Sequence, residues 1–292
     1  MKTAEISFYS DGVLLKGAFH EPAEGVTRRE PVVLMCSGFL GLRNIHPSRF
    51  ARALTPRGYT VFGFDYRTFA PSSGETGCVI LDEQVRDIAN AVRLVRREIG
   101  GRPLVLGGWG MGGGLILSAA ELTEPLAGVF CLNGFYDARR VQRALRGEAG
   151  LAKFHSELLG LQREALKSGE RVWIDPFFAY PLDPVTQKYV DEVLRRDPEF
   201  GPKVWLPFAD SLLSFAPERK LGHLGQTPLF IGHGRDNALH PAEEAESLYS
   251  LYPGPKKIHW LEKAGHTEWM LDEHPIFRGL VDELAGWLAE RK

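Results

Sequence analysis

Gly108-Trp109-Gly110-Met111-Gly112 is the stretch on which the reading of this chain turns. It follows the apolar run Leu104-Val105-Leu106, which reads as a buried strand, and precedes Leu115-Ile116-Leu117-Ser118-Ala119-Ala120, which reads as a helix. Strand, tight turn and helix in that order form the setting of the G-x-S-x-G nucleophile elbow, where a sharp turn lifts a serine to the top of a sheet. The central position here is Gly110. Glycine takes a positive-φ turn without a Cβ clash, so the turn is expected to survive and the reactive hydroxyl is missing.

Outward from this frame, short apolar runs bounded by Gly, Pro and Asp alternate with longer amphipathic stretches, the pattern of a mostly parallel sheet with helices on both faces. The fold class is α/β. Eight strands are expected at residues 4–9, 13–20, 31–36, 59–64, 103–107, 127–132, 227–232 and 256–261, the first two as a hairpin around Asp11-Gly12. Helices are expected at 47–57, 81–98, 111–122, 241–251 and 273–290; the second puts Val85, Ile88, Ala89, Val92 and Val95 on one stripe. From 138 to 208 the rhythm breaks, because one connection between strands needs a helix and a few loop residues, not about seventy positions. This segment is expected to be a helical cap, dividing the core into residues 1–137 and 209–292. Its second half carries Trp173, Phe177, Phe178, Tyr180 and Trp205, suited either to covering a site mouth or to forming the cap's own small core.

Composition narrows the function. The chain has 292 residues, 44% hydrophobic and 25% charged, as a soluble globular protein does. Thirty-five basic against 37 acidic residues give a net charge of −2, and no basic run offers a nucleic-acid footprint. The N-terminus lacks the apolar core of a signal peptide and no stretch approaches bilayer length, so a cytoplasmic protein without membrane partners is expected. Cys36, Cys78 and Cys131 are odd in number and widely spaced, and the histidines show neither H-x-x-x-H nor H-E-x-x-H spacing. Neither disulfide nor metal is implied.

A candidate dyad lies downstream. Leu229-Phe230-Ile231-Gly232-His233-Gly234-Arg235-Asp236 runs from a strand into a loop with a carboxylate, and the next strand, Ile258-His259-Trp260-Leu261, leads to Ala264-Gly265-His266. The interval suits one helix and one strand, so Asp236 and His266 are expected at the same edge of the sheet, where open α/β sheets place their sites. Asp137, after the sixth strand, is the alternative acid.

Together with Cys36-Ser37-Gly38-Phe39-Leu40-Gly41 and with Phe64-Asp65-Tyr66-Arg67 followed by Ser72-Ser73-Gly74-Glu75, these features make the chain resemble the α/β-hydrolase-fold superfamily over nearly its whole length. The similarity is to the capped acyl-esterase, dienelactone-hydrolase-like and X-Pro-peptidase-like branch. It implies an oxyanion hole from the backbone N–H groups of Phe39 and Met111, with His266 as base oriented by Asp236. Two departures stand out: Ser37 replaces a histidine of the oxyanion loop, and Gly110 replaces the nucleophile.

Four readings of Gly110 follow. The dyad and oxyanion hole act noncovalently on a small carbonyl or ester-like compound, by hydrolysis, C–C cleavage, elimination or cyclisation. Alternatively the protein is a pseudohydrolase that only binds such a molecule, or a serine esterase inactivated by a Ser-to-Gly substitution. Finally, Gly108, Gly110 and Gly113 satisfy G-x-G-x-x-G, but several strands precede them and the next strand ends at Asn133-Gly134 without the acidic residue a dinucleotide needs. No cofactor is expected. Cys36 and Ser37 are weaker candidate nucleophiles, Arg43 and His46 candidate entrance residues, and Trp109 a core residue beside the elbow. Oligomeric state is left open, a homodimer included.

Overall fold

The structure is a computed structural model describing residues 1–39, 41–197, 200 and 203–291. Leu40 of the oxyanion loop lies outside the described residues. All eight expected strands form one sheet: β1 (Lys2–Ser10), β2 (Val13–Glu21), β3 (Val32–Cys36), β4 (Val61–Asp65), β5 (Leu104–Trp109), β6 (Gly128–Leu132), β9 (Leu229–Gly234) and β10 (Lys256–Leu261). Their order is β1-β2-β4-β3-β5-β6-β9-β10. The hairpin β1–β2 is antiparallel, β2 joins β4 antiparallel, and every later pairing is parallel.

The five expected helices are present as α1 (His46–Leu54), α2 (Leu81–Ile99), α3 (Met111–Ala120), α8 (Ala242–Leu251) and α9 (Pro275–Leu288). Val32–Cys36, Val61–Asp65, Leu104–Trp109 and Gly128–Leu132 are buried along their whole length, as central parallel strands covered on both faces must be. One apolar layer packs α2 and α3 against the sheet, with Ile88, Val92, Leu115 and Ile116 fully buried. The opposite layer packs α1 and α9, through Phe50, Leu54, Phe277 and Leu284.

Between β6 and β9, where a cap is expected, the chain forms α4 (Ala138–Ser168), β7 (Trp173–Ile174), α5 (Pro176–Ala179), α6 (Pro184–Glu192), β8 (Val204–Trp205) and α7 (Pro207–Leu213). Asp137 caps α4, its carboxylate accepting from Arg139 and Arg140 N–H, and α4 kinks at Gly147. The aromatics of this segment differ in what they touch. Trp173 pairs with Trp205 across the β7–β8 ribbon and Phe178 packs on Phe154, while Phe177 and Tyr180 face the site. Among the described residues, no helix is long and apolar enough to cross a membrane.

Candidate active site

The turn after β5 is an elbow. Gly110 takes φ +57° and ψ −127° as the N-cap of α3, a region a side chain enters only under strain. It is fixed by its own N–H, which donates to Leu132 O at 2.9 Å, and by its carbonyl, which accepts from Gly113 N–H at 2.9 Å. Gly112 must be glycine for another reason: a Cβ there would lie 2.1 Å from Ser37 O, so the loop after β3 could not approach the helix. That approach puts Gly38 against Trp109 O and Met111 N, 3.3 and 4.0 Å from where its Cβ would stand. Met111 is the first residue of α3, so its N–H has no acceptor within the helix. Phe39 follows Gly38 in the same loop, its ring packed on Phe208 and Tyr180.

The loop carrying Phe39 is anchored from behind. Tyr66 hydroxyl donates to Ser37 O, Ser37 hydroxyl to Leu42 O, and Arg43 N–H to Asp65 Oδ1 at 2.8 Å. Arg43 spends its guanidinium on Asp65 and Glu5, not on the site mouth. His46 does line the cavity, stacked on Trp109 with ring centroids 5.1 Å apart. Cys36 is fully enclosed and burial pushes its thiol well above the ordinary range, which leaves it without a thiolate to attack with.

His266 faces Gly110. A Cβ built on Gly110 would be 3.6 Å from His266 Nε2 and 3.8 Å from Cε1, with nothing else of the described residues beyond its chain neighbours within 4 Å. The loop holding the imidazole is tied down on both sides. Asn133 donates from Nδ2 to His266 O at 2.7 Å and to Gly265 O at 3.2 Å, while Glu268 accepts from the N–H groups of Gly265 and Thr267.

The expected partner of His266 is corrected. Asp236 is exposed and is held by its backbone, its N–H donating to Ala264 O. The residue beside His266 is Asn237, 3% exposed, with Nδ2 at 3.2 Å from His266 Nδ1. The reason is local. β9 continues to Gly234, two residues past its expected end, so the loop delivers position 237 to the site. Asp137 does not substitute, because its carboxylate caps α4 and pairs with Arg219.

Sequence reasoning also passed over a buried network around this pair. His240 N–H donates to Asn237 Oδ1 at 2.9 Å, and His240 Nδ1 donates to Asn133 O at 2.6 Å. With Nδ1 protonated, His240 Nε2 accepts from the Tyr180 hydroxyl, which arrives from the segment between β6 and β9. The rings of His240 and His266 meet edge to face, centroids 4.6 Å apart. Asn133 held one signal: it has φ +46°, and asparagine is among the few side chains that tolerate that region.

Electrostatically the site is neutral. Burial, then His240, His233 and His46, hold His266 well below the usual imidazole range. Burial likewise brings His46 and His240 down to about 3 and His233 down to about 4. The cavity above Gly110 is about 70 Å³ and is walled by Phe177, Tyr180, Leu182, Val190, Leu239 and neighbours. Its described lining contains neither a carboxylate nor a basic side chain other than histidine. No group of three or more metal-ligating side chains occurs among the described residues.

Comparison with known proteins agrees with this architecture. The chain is similar to an uncharacterized 31.7 kDa protein of the traX-finO intergenic region of Escherichia coli, 25% identical over 281 residues, covering 95% of this chain and 96% of that one. It is 23% identical over 286 residues to the polyketide transferase claH of Penicillium crustosum, covering 93% and 92%. Among solved structures it resembles the α/β hydrolase GrgF from Penicillium sp. sh18, with TM-score 0.79, 17% identity and coverage of 100% and 99%. The profile of the serine aminopeptidase S33 family matches residues 27–273, and with the elbow and sheet order described above the chain belongs to that family of α/β-hydrolase-fold proteins.

Proposed function

We propose that this protein acts noncovalently on a small, largely apolar carbonyl or ester-like compound held above Gly110. The observation that carries the reading is the space where a serine side chain would stand, open toward His266 Nε2. A ligand oxygen can occupy it, with the N–H groups of Phe39 and Met111 as oxyanion donors and His266 on the other side. Polarising a carbonyl in this way supports hydrolysis, C–C cleavage, elimination or cyclisation without an acyl-enzyme. The name of the Penicillium crustosum relative, a polyketide transferase, supports carbonyl-bearing substrates.

Asn237 argues against a serine esterase inactivated at one position, since such a protein would keep its acid beside His266. The same residue favours a second reading, a pseudohydrolase that binds without turnover, because a triad histidine without a carboxylate is a poor base.

A panel of short esters, thioesters and β-dicarbonyl compounds, followed by mass spectrometry beside a His266→Ala variant, tests both. Turnover reduced by about 10²–10³ in the variant, as on loss of one donor to a developing oxyanion, without a covalent adduct on the intact protein, is the expected result. A stable acyl adduct, or turnover indifferent to His266, defeats the proposal. Saturable binding with no conversion of any compound selects the pseudohydrolase.

A further inference from the structure

The hydrogen bonds around Asn237 determine which nitrogen of His266 carries the proton. Asn237 Oδ1 accepts from His240 N–H at 2.9 Å. Rotating the amide by half a turn would set its NH₂ against that N–H, two donors facing each other in a buried site. The orientation with Nδ2 toward His266 is therefore the satisfied one. An amide NH₂ only donates, so His266 Nδ1 must accept. In neutral imidazole one nitrogen accepts and the other carries hydrogen, which puts the proton on Nε2, the atom facing Gly110. In a serine hydrolase with an aspartate at this position the proton sits on Nδ1 and Nε2 is free to take another. Here the polarity of the ring is reversed.

Among the described residues, the groups that meet directly above Gly110 are then donors. His266 Nε2–H, on a side chain only 7% exposed, has no protein acceptor among the described residues. Met111 N–H opens a ten-residue helix whose positive end points at the same space. Trp109, whose indole Nε1 is a donor only, is among the lining residues. No carboxylate among the described lining residues would receive a cationic ligand. The remaining unpartnered polar atoms, His46 Nδ1 and the hydroxyls of Thr186 and Thr267, are uncharged and do not alter that balance.

We propose that the space above Gly110 is a cradle of hydrogen-bond donors that takes the anionic oxygens of a small apolar carboxylate, with Asn237 as the positioning residue that keeps His266 donating. This rests on the noncovalent reading and deepens it. One carboxylate oxygen lies at the Phe39 and Met111 amides, and the other fills the place of the absent hydroxymethyl group, against His266 Nε2–H. The cavity sets the size. At about 70 Å³ it is roughly half of a 150 Å³ engineered cavity that accepts benzene, so a short aliphatic tail fits and a bulky ring requires Phe177 and its neighbours to move.

Two measurements test this. In ¹⁵N-labelled protein at pH 7, the His266 ring is expected to show a protonated, pyrrole-like Nε2 and an unprotonated Nδ1, and Asn237→Asp is expected to exchange them. In titrations followed by NMR, butyrate is expected to bind at least about tenfold tighter than 1-butanol or butylamine, the charged acceptor making the stronger hydrogen bonds. Asn237→Asp should abolish that preference. An unprotonated Nε2 in the wild-type protein overturns the inference without any variant. Tighter binding of methyl butyrate or 2-pentanone than of butyrate overturns the anionic class and leaves the noncovalent carbonyl reading standing. If none of these compounds binds, both fall.

Discussion

Replacing Gly110 by serine tests directly what the elbow lost, and Asn237 governs the outcome. Among the described residues a Cβ at position 110 meets only His266, at 3.6 and 3.8 Å, which are ordinary van der Waals contacts, so the side chain starts without displacing a neighbour. The backbone conformation costs a non-glycine residue about 1–3 kcal/mol. At about 2–4 °C of Tm per kcal/mol in a chain of this size, Gly110→Ser should melt several degrees lower and still fold. Activity should scarcely appear. The new hydroxyl must pass its proton to His266 Nε2, and with Asn237 donating to Nδ1 that atom already holds one. Asp-to-Asn exchange at the corresponding place in a serine triad lowers kcat about 10⁴-fold through the wrong tautomer. Gly110→Ser/Asn237→Asp should therefore exceed Gly110→Ser by about 10⁴ in fluorophosphonate labelling rate and in the burst with p-nitrophenyl butyrate. Equal rates for the single and double variants would refute control of His266 by Asn237. A folded double variant inert to the fluorophosphonate would refute the placement of His266 opposite the elbow.

Three further outcomes follow from the same contacts. Tyr180→Phe removes the donor to His240 Nε2 and leaves a buried acceptor unmatched, so urea denaturation should show a loss of about 1–3 kcal/mol; an unchanged midpoint would mean that this contact contributes nothing. His233 has its proton affinity lowered by burial to about 4, so as the pH falls from 6 to 5 the unfolded chain binds a proton there and the folded chain does not. Stability then falls with pH by about 1.4 kcal/mol per unit for this group, and His233→Gln should flatten the curve by that amount in urea titrations at pH 7, 6 and 5. Because His266 is held well below the usual imidazole range, any turnover by the wild-type protein should be level from pH 5.5 to 8. A limb between pH 6 and 7 that vanishes in His266→Gln would show the imidazole acting as a base.

The sheet was legible because its strands are continuous apolar runs, and parallel strands buried on both faces leave no other arrangement. The elbow was legible because glycine spacing, strand and helix all pointed to it. The dyad was half legible. His266 follows a strand at the expected edge, while its partner depends on where β9 stops, and element ends are where sequence patterns discriminate least. His233 and Gly234 extend β9 beyond its last large apolar residue, Ile231, with no change in hydropathy to mark the end. A carboxylate at 236 then drew the assignment away from the amide at 237. The contact of Tyr180 with His240 joins residues sixty positions apart, and no periodicity carries it. The different contacts of the aromatics between β6 and β9 were hidden for a similar reason: α5 has four residues, too few to establish a stripe.

Gly110 and Asn237 make better sense together than separately. In a serine hydrolase the imidazole gains a proton as the tetrahedral intermediate forms, and the buried aspartate balances the new charge. Here that charge would arise near His46, His233 and His240, whose proton affinities burial already lowers, and an amide takes the place of the carboxylate. Desolvation would oppose imidazolium formation with nothing to offset it. A serine at position 110 would thus depend on a proton acceptor that the neighbouring residues no longer provide, and glycine there forfeits little once Asn237 is present. What survives is a rigid set of neutral dipoles. Such a set stabilises negative charge on a ligand oxygen without proton transfer to the protein, so any bond-making in this site has to draw its nucleophile, and pass its proton, within the ligand or to water.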